Sequence, residues 1–309
     1  MTTAGNGTPG PRGAASESPA RPGWHQRREG DPARPYVPRQ PGAANGTGTR
    51  RDWNATDELG YFRTEPWHDD VNPLFADPLA DYVTRSAPSP VSVLQAGCLA
   101  PLRELGLGRL TGAGFGISVT VADEDTPLTR QVLDATGDGY DDVITGDLRT
   151  AVIPPRAFDI VYCAGLLERV GHVELVLDHL AGALKPGGLL MVRMGDRRTA
   201  SALLDRILPD LARRRLWRDL HPGAPGPFPA VYEKPVSEHG ISSYALMRGL
   251  VIANRAAEPT LQANPARLSS TVRAACTVIA RLTRDRFTDN HDELLYVIRK
   301  PEDRFARVL

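Results

Sequence analysis

FDIVYCAGLLERVGHVELVLDHLAGALKPGGLLMVRMGD, residues 158–196, holds a strand, a helix and a second strand in uninterrupted succession. Its opening, Phe158–Cys163, is almost continuously apolar and lies between Pro154-Pro155 and Gly165, the pattern of a strand buried on both faces of a parallel sheet. The period then changes. Val173, Val176, Leu177, Leu180 and Leu184 recur at helical spacing, so one face can pack on a sheet while Glu174, Asp178 and His179 face largely outward. Lys185-Pro186-Gly187-Gly188 stops the helix, because proline cannot continue it and glycine accepts positive φ, and Leu189–Met194 restarts as a buried strand. Strand, helix and strand predict a right-handed βαβ unit.

Working outward, Val91–Ala96 reads as the first strand, adjacent to Phe158–Cys163 at the centre of the sheet, and is followed by Gly97-Cys98-Leu99-Ala100-Pro101. Phe115–Ala122 reads as the second strand with Asp123 at its carboxyl end, and a helix begins at Pro127. Asp142–Thr145 is the third, followed by Gly146-Asp147-Leu148. Beyond residue 196 the spacing predicts a helix over 199–216 with a kink at Pro209, then the loop HPGAPGPFPAVYEKP, whose His221, Phe228 and Tyr232 either line a pocket or are simply exposed. Ser242–Met247 and Leu250–Asn254 read as a closing antiparallel pair. Leu268, Val272, Ala275, Ile279 and Leu282 mark an amphipathic helix, and Leu294–Ile298 reads as an added edge strand or, alternatively, as the final strand with Leu250–Asn254 elsewhere. The expectation is a doubly wound α/β sheet of seven mainly parallel strands, with no internal repeat.

The chain of 309 residues carries 37 Lys plus Arg against 37 Asp plus Glu, so its overall charge calls for neither nucleic acid nor an anionic membrane. Residues 1–50 are crowded with Gly, Pro, Ala, Ser, Thr and Arg without apolar periodicity and read as a disordered tail, either solvated or a basic arm. Over 51–88 the aromatics Trp53, Tyr61, Phe62, Trp67 and Phe75 crowd together, giving either a helical lid over a substrate or packing against the sheet. Cys98, Cys163 and Cys276 form no CxxC pair and suggest neither a disulfide framework nor a zinc site. With no apolar run long enough to span a bilayer and no apolar signal-peptide core, the expectation is a soluble cytoplasmic protein.

The words Phe158-Asp159-Ile160-Val161 and Leu184-Lys185-Pro186-Gly187-Gly188-Leu189 resemble strands four and five of class I S-adenosylmethionine (SAM) dependent methyltransferases, and the resemblance extends over roughly 91–254. It implies a SAM-binding domain over 89–256, with 257–309 as a C-terminal helix and strand extension. It also implies that SAM lies across the carboxyl ends of the strands, with Gly97 beneath its methionine portion, Asp123 on its ribose, Asp147 and the Leu148 amide at its adenine, and Ala164 at the end of the fourth strand. Of the family's Gly-x-Gly-x-Gly turn only Gly97 matches; Gln95 stands where an acid is usual, Leu99 at the second glycine and Pro101 at the third. Glu168 and His172 are ionisable residues near the expected transfer site and are the candidate catalytic groups; Arg169 lies between them.

On this resemblance the function is methyl transfer from SAM to a small-molecule acceptor; the alternative is a non-catalytic binding or regulatory protein on the same fold. Transfer from a sulfonium needs mainly proximity and orientation, so few diagnostic catalytic residues are expected. The first strand is not followed by GxGxxG, which disfavours a dinucleotide-dependent oxidoreductase.

Overall fold

The computed structural model describes residues 71–98, 102–136, 139–220, 226–259, 267–284 and 286–302. The tail over 1–50, the aromatics Trp53, Tyr61, Phe62 and Trp67, and residues Leu99, Pro101 and His221 lie outside the described residues.

Seven strands form one sheet in the order β3-β2-β1-β4-β5-β7-β6. They are β1 (Val91–Ala96), β2 (Ile117–Asp123), β3 (Asp142–Thr145), β4 (Phe158–Ala164), β5 (Leu184–Gly195), β6 (Val251–Glu258) and β7 (Glu293–Arg299). The first five strands are parallel, and β7 runs antiparallel to both β5 and β6. β1 and β4 are neighbours, with Val93 opposite Ile160 and Ala96 opposite Cys163. The chain order reverses between them, and open α/β sheets bind ligands in the crevice outside the carboxyl ends of the strands at such a point.

Alternation sorts the core into two layers. Leu94, Ala96, Val161, Cys163, Leu190, Val192, Tyr296 and Ile298 face α4 (Val173–Ala183) and α7 (Glu238–Met247). Val93, Val119, Ile160, Tyr162, Met191, Leu295 and Val297 face α1 (Pro73–Ser86) and the turn-and-helix segment Leu102–Gly112 that contains α2 (Leu107–Gly112). Every residue of β4 is buried, as the unbroken apolar run requires. The two family words also meet: Asp159 accepts from Lys185 Nζ at 2.7 Å, from Tyr82 Oη at 2.9 Å and from the Ser92 amide at 2.9 Å. Lys185-Pro186-Gly187-Gly188 forms an irregularity at the start of β5, where a Cβ on Gly188 would lie 2.6 Å from the Asp159 carbonyl oxygen.

Two expectations are corrected. Ser242–Met247 is not a strand but part of α7, capped by the Ser237 hydroxyl accepting from the Gly240 amide, with Ile241, Tyr244 and Ala245 buried at i, i+3 and i+4. β7 is not an added edge: its run Leu294–Ile298 is buried within the sheet, and the polar, exposed β6 takes the edge. Of the segment 51–88, read as either a lid or sheet packing, the helical part described is α1. It lies along a sheet face, where Phe75 packs edge-on to Tyr162 with centroids 5.7 Å apart and Leu79 and Val83 complete its buried stripe. The helix read over 199–216 is divided at Pro209 into α5 (Ala200–Ile207) and α6 (Asp210–Leu220). α3 (Pro127–Thr136) follows β2, and α8 (Arg267–Leu282) precedes β7.

Candidate active site

At the carboxyl end of β1 the chain turns at Gly97, whose φ is +93° and whose amide donates to the Ala122 carbonyl at 2.9 Å. A Cβ there would stand 2.7 Å from the Ala164 carbonyl oxygen, so only glycine lets the turn close against the end of β4. Asp123 ends β2 beside it. Gly146, whose amide donates to the Asp123 carbonyl at 3.2 Å, brings the Asp147 loop to the same crevice. Gly97, Asp123, Asp147 and Ala164 are thus brought together across the carboxyl ends of β1 to β4.

Asp123 does not present its carboxylate to a ligand. Both oxygens accept from Arg169 Nη2, at 2.8 and 2.7 Å, and they also accept from the amides of Cys98 at 2.8 Å and Glu124 at 2.7 Å. Asp123 is 1% exposed and Arg169 5%, making this a fully desolvated ion pair. Arg169 is fixed further by donating from Nε to the Gly165 carbonyl at 2.8 Å and by lying 5.0 Å from the centroid of Phe228. Phe228 belongs to the Pro-rich loop and is held edge-on by Trp217 of α6, so the loop that the sequence left open between pocket and solvent covers this pair.

The neighbouring carboxylate is differently placed. Glu124 is half-buried, and its carboxylate has no hydrogen-bond partner among the described residues. Burial pushes its pKa up, with the nearby Arg169 opposing and Asp123 and Asp147 adding to the rise. A desolvated carboxylate short of donors suits a vicinal diol, which brings two. Asp147 is exposed and accepts from Arg149 Nε at 2.7 Å and Nη2 at 2.6 Å, which with the Arg149 amide holds its pKa down at about 2. The Leu148 side chain is buried in the central core and its carbonyl meets the His179 ring at 3.0 Å. Glu124 is thus the open carboxylate beside the crevice, while both oxygens of Asp123 are engaged by Arg169.

Glu168 lies between the ends of β4 and β5. Its carbonyl accepts from the amides of Val231 at 2.8 Å and Tyr232 at 3.1 Å, and its Oε2 is buried without a partner. Burial pushes its carboxyl up to about 7, against the opposing pull of its own amide and that of Gly195. His172 is exposed, sits before α4 with φ +55°, and gives its amide to Glu233, whose carboxylate also takes the Val173 amide at 3.0 Å. Among the described residues no hydrogen bond joins the side chains of His172 and Glu168.

Arg169 lies near the expected transfer site in the sequence reading but without a role there, and Glu124 is absent from that reading's site residues. The available signal was a single arginine set among Leu166, Leu167 and Val170, all buried, since a cation in an apolar run requires a counter-charge.

A methyltransferase-domain family profile matches residues 105–192. A ubiquinone biosynthesis O-methyltransferase from Xylella fastidiosa (strain 9a5c) is 30% identical over 176 residues, covering 53% of this chain and 68% of that relative. The chain belongs to the class I SAM-dependent methyltransferases. Similar solved structures include the cyclase SpnF, with 13% identity, 81% and 94% of the two chains covered and a TM-score of 0.45. Another is the phosphoethanolamine N-methyltransferase 2 of Haemonchus contortus in complex with S-adenosyl-L-methionine, with 15% identity, 83% and 61% covered and a TM-score of 0.42. This methyltransferase is accordingly an enzyme with SAM as its cofactor. Among the described residues no helix is long and apolar enough to cross a membrane.

Proposed function

We propose that this methyltransferase acts on a hydroxyl group of a small-molecule acceptor, with Glu168 as the general base. The observation that carries the reading is the buried, unpartnered Oε2 of Glu168 on a carboxyl poised near neutral pH, where a base is most effective. Bound SAM supplies a methyl group on a sulfonium, already a good leaving group. The chain's own contribution is to orient the acceptor and to take one proton: as the acceptor oxygen forms its bond to carbon, its proton passes to Glu168. The O-methyltransferase named among the relatives is consistent with an oxygen acceptor.

For the cofactor, Glu124 takes the ribose hydroxyls in place of Asp123, Asp147 and the Leu148 amide take the adenine, and the backbone at Gly97 and Ala164 underlies the methionine portion. His172 keeps a place in the wall of an adjoining cleft rather than in proton transfer. The three cysteines are free and buried, which suits a reducing cytoplasm. The test is Glu168→Gln assayed with labelled SAM over a panel of hydroxylated acceptors. A fall in kcat of about 100-fold or more, loss of the limb of the pH profile near neutrality and unchanged SAM affinity are expected. Wild-type kcat with an unaltered profile would overturn the assignment.

A further inference from the structure

Next to Glu168, on the outer side of the segment Val231–Pro235, the chain forms a cleft of about 600 Å³. That is the size of a small-molecule site. Two arginines line it. Arg197 comes from the end of β5, fixed by its amide donating to the Val236 carbonyl at 2.9 Å, and Arg206 projects from α5. Both are partly buried, and neither meets a carboxylate within salt-bridge distance among the described residues. Lys234 adds a third positive charge to the lining.

The carboxylates in the wall leave this charge standing. Glu233 is committed to the amides of His172 and Val173 at the start of α4, and Glu174 lies exposed on that helix's first turn. Holding two guanidiniums together without a counter-ion is unfavourable, and the pKa of Arg206 is pushed down first by burial and then by Arg197. Arginine forks match carboxylate and phosphate groups in a bidentate way. Leu175 and Val231 line the same cleft and are exposed, 43% and 38%, giving it an apolar wall beside the charge.

Tyr232 joins the cleft to the reaction site. Its ring packs where a Cβ on Gly195 would lie 3.3 Å from the phenol oxygen, and its hydroxyl is held un-ionised first by burial and next by the charge of Glu168, while it also acts on Arg206. The Val231–Tyr232 backbone, which donates to the Glu168 carbonyl, therefore borders both Glu168 and the cleft that Arg197 and Arg206 line.

We infer that the methyl acceptor is an amphipathic acid, whose carboxylate or phosphate is gripped by Arg197 and Arg206 while its apolar body lies on Leu175 and Val231. The inference rests on reading the Glu168 side as the acceptor side. Its test needs no turnover: the full chain is titrated by calorimetry with benzoate, neutral benzamide and inorganic phosphate. An anion should bind in the millimolar range, and Arg197→Gln and Arg206→Gln should each weaken it by roughly tenfold, as loss of a charged hydrogen bond does. Arg215→Gln, at an exposed position on α6, should change nothing. Benzoate binding without phosphate binding identifies a carboxylate, the converse a phosphate, and binding of both the shared anion chemistry. Failure of all anions to bind, equal binding of benzamide, or indifference to both arginine substitutions would overturn the inference. Arginine-dependent anion binding with Glu168→Gln fully active would retain the cleft and refute the base, whereas Glu168-dependent transfer to neutral acceptors alone would do the reverse.

Discussion

Replacing Arg169 by Met keeps most of its volume and removes the charge that neutralises Asp123. The wild-type carboxylate lies at 1% exposure with two contacts of 2.7–2.8 Å from the guanidinium, so the variant strands an anion with only the Cys98 and Glu124 amides as donors. Breaking a buried pair by removing one partner costs about 3–5 kcal/mol. For a domain of this size that lowers Tm by roughly 6–20 °C. Adding Asp123→Asn removes the unpaired charge and should recover more than half of the loss. Urea denaturation of the two single variants and the double variant, closed as a thermodynamic cycle, measures the coupling. A loss below about 1 kcal/mol, or a double variant no more stable than Arg169→Met, would refute the reasoning that this pair is the keystone of the crevice.

Other outcomes follow from single contacts. His291 Nε2 lies 2.9 Å from the buried Asp196, whose hydrogen bond raises the imidazole pKa; that stability is present below the ordinary histidine pKa near 6.5 and lost as pH rises through the raised value. His291→Gln should therefore cost more stability in acid than at alkaline pH, as read from denaturation at the two ends. Gly97→Ala forces a Cβ to within 2.7 Å of the Ala164 carbonyl at a φ of +93°, so soluble yield and Tm should fall and SAM affinity with them; an unshifted Tm would disprove the close approach. Glu168→Gln should stabilise the protein as pH rises above the ordinary carboxylate pKa, by up to about 3 kcal/mol once past neutrality, because a carboxyl held at about 7 opposes folding when it must ionise.

Much of the fold was legible because β4, β5 and α4 state their environments locally: an unbroken apolar run needs cover on both faces, and a helical stripe needs one. The same signal was present and misjudged at two places. Leu294–Ile298 is as continuously apolar as an interior strand should be, and Val251–Glu258 as polar as an edge, yet chain order suggested the opposite arrangement. In α7 the buried Ile241, Tyr244 and Ala245 have helical spacing behind a Ser237 cap, but a short window beside Gly249 also admits a strand. The crevice was legible as the place where strands end, which located Gly97, Asp123, Asp147 and Ala164 together. What each carboxylate does there was not legible, because the partner that occupies Asp123 is 46 residues away and meets it only through the tertiary fold. The neutral overall charge likewise hid the cationic cleft, whose two arginines come from a strand end and a helix.

Isothermal titration of SAM into the wild-type chain and Glu124→Gln reads the cofactor site itself. The wild-type dissociation constant should lie well below millimolar, with Glu124→Gln weaker by roughly tenfold, the order expected for losing hydrogen bonds to a ribose, and equal in Tm. A folded wild-type chain that fails to bind SAM, or a Glu124→Gln variant that binds it as tightly as wild type, would overturn the placing of the ribose on Glu124.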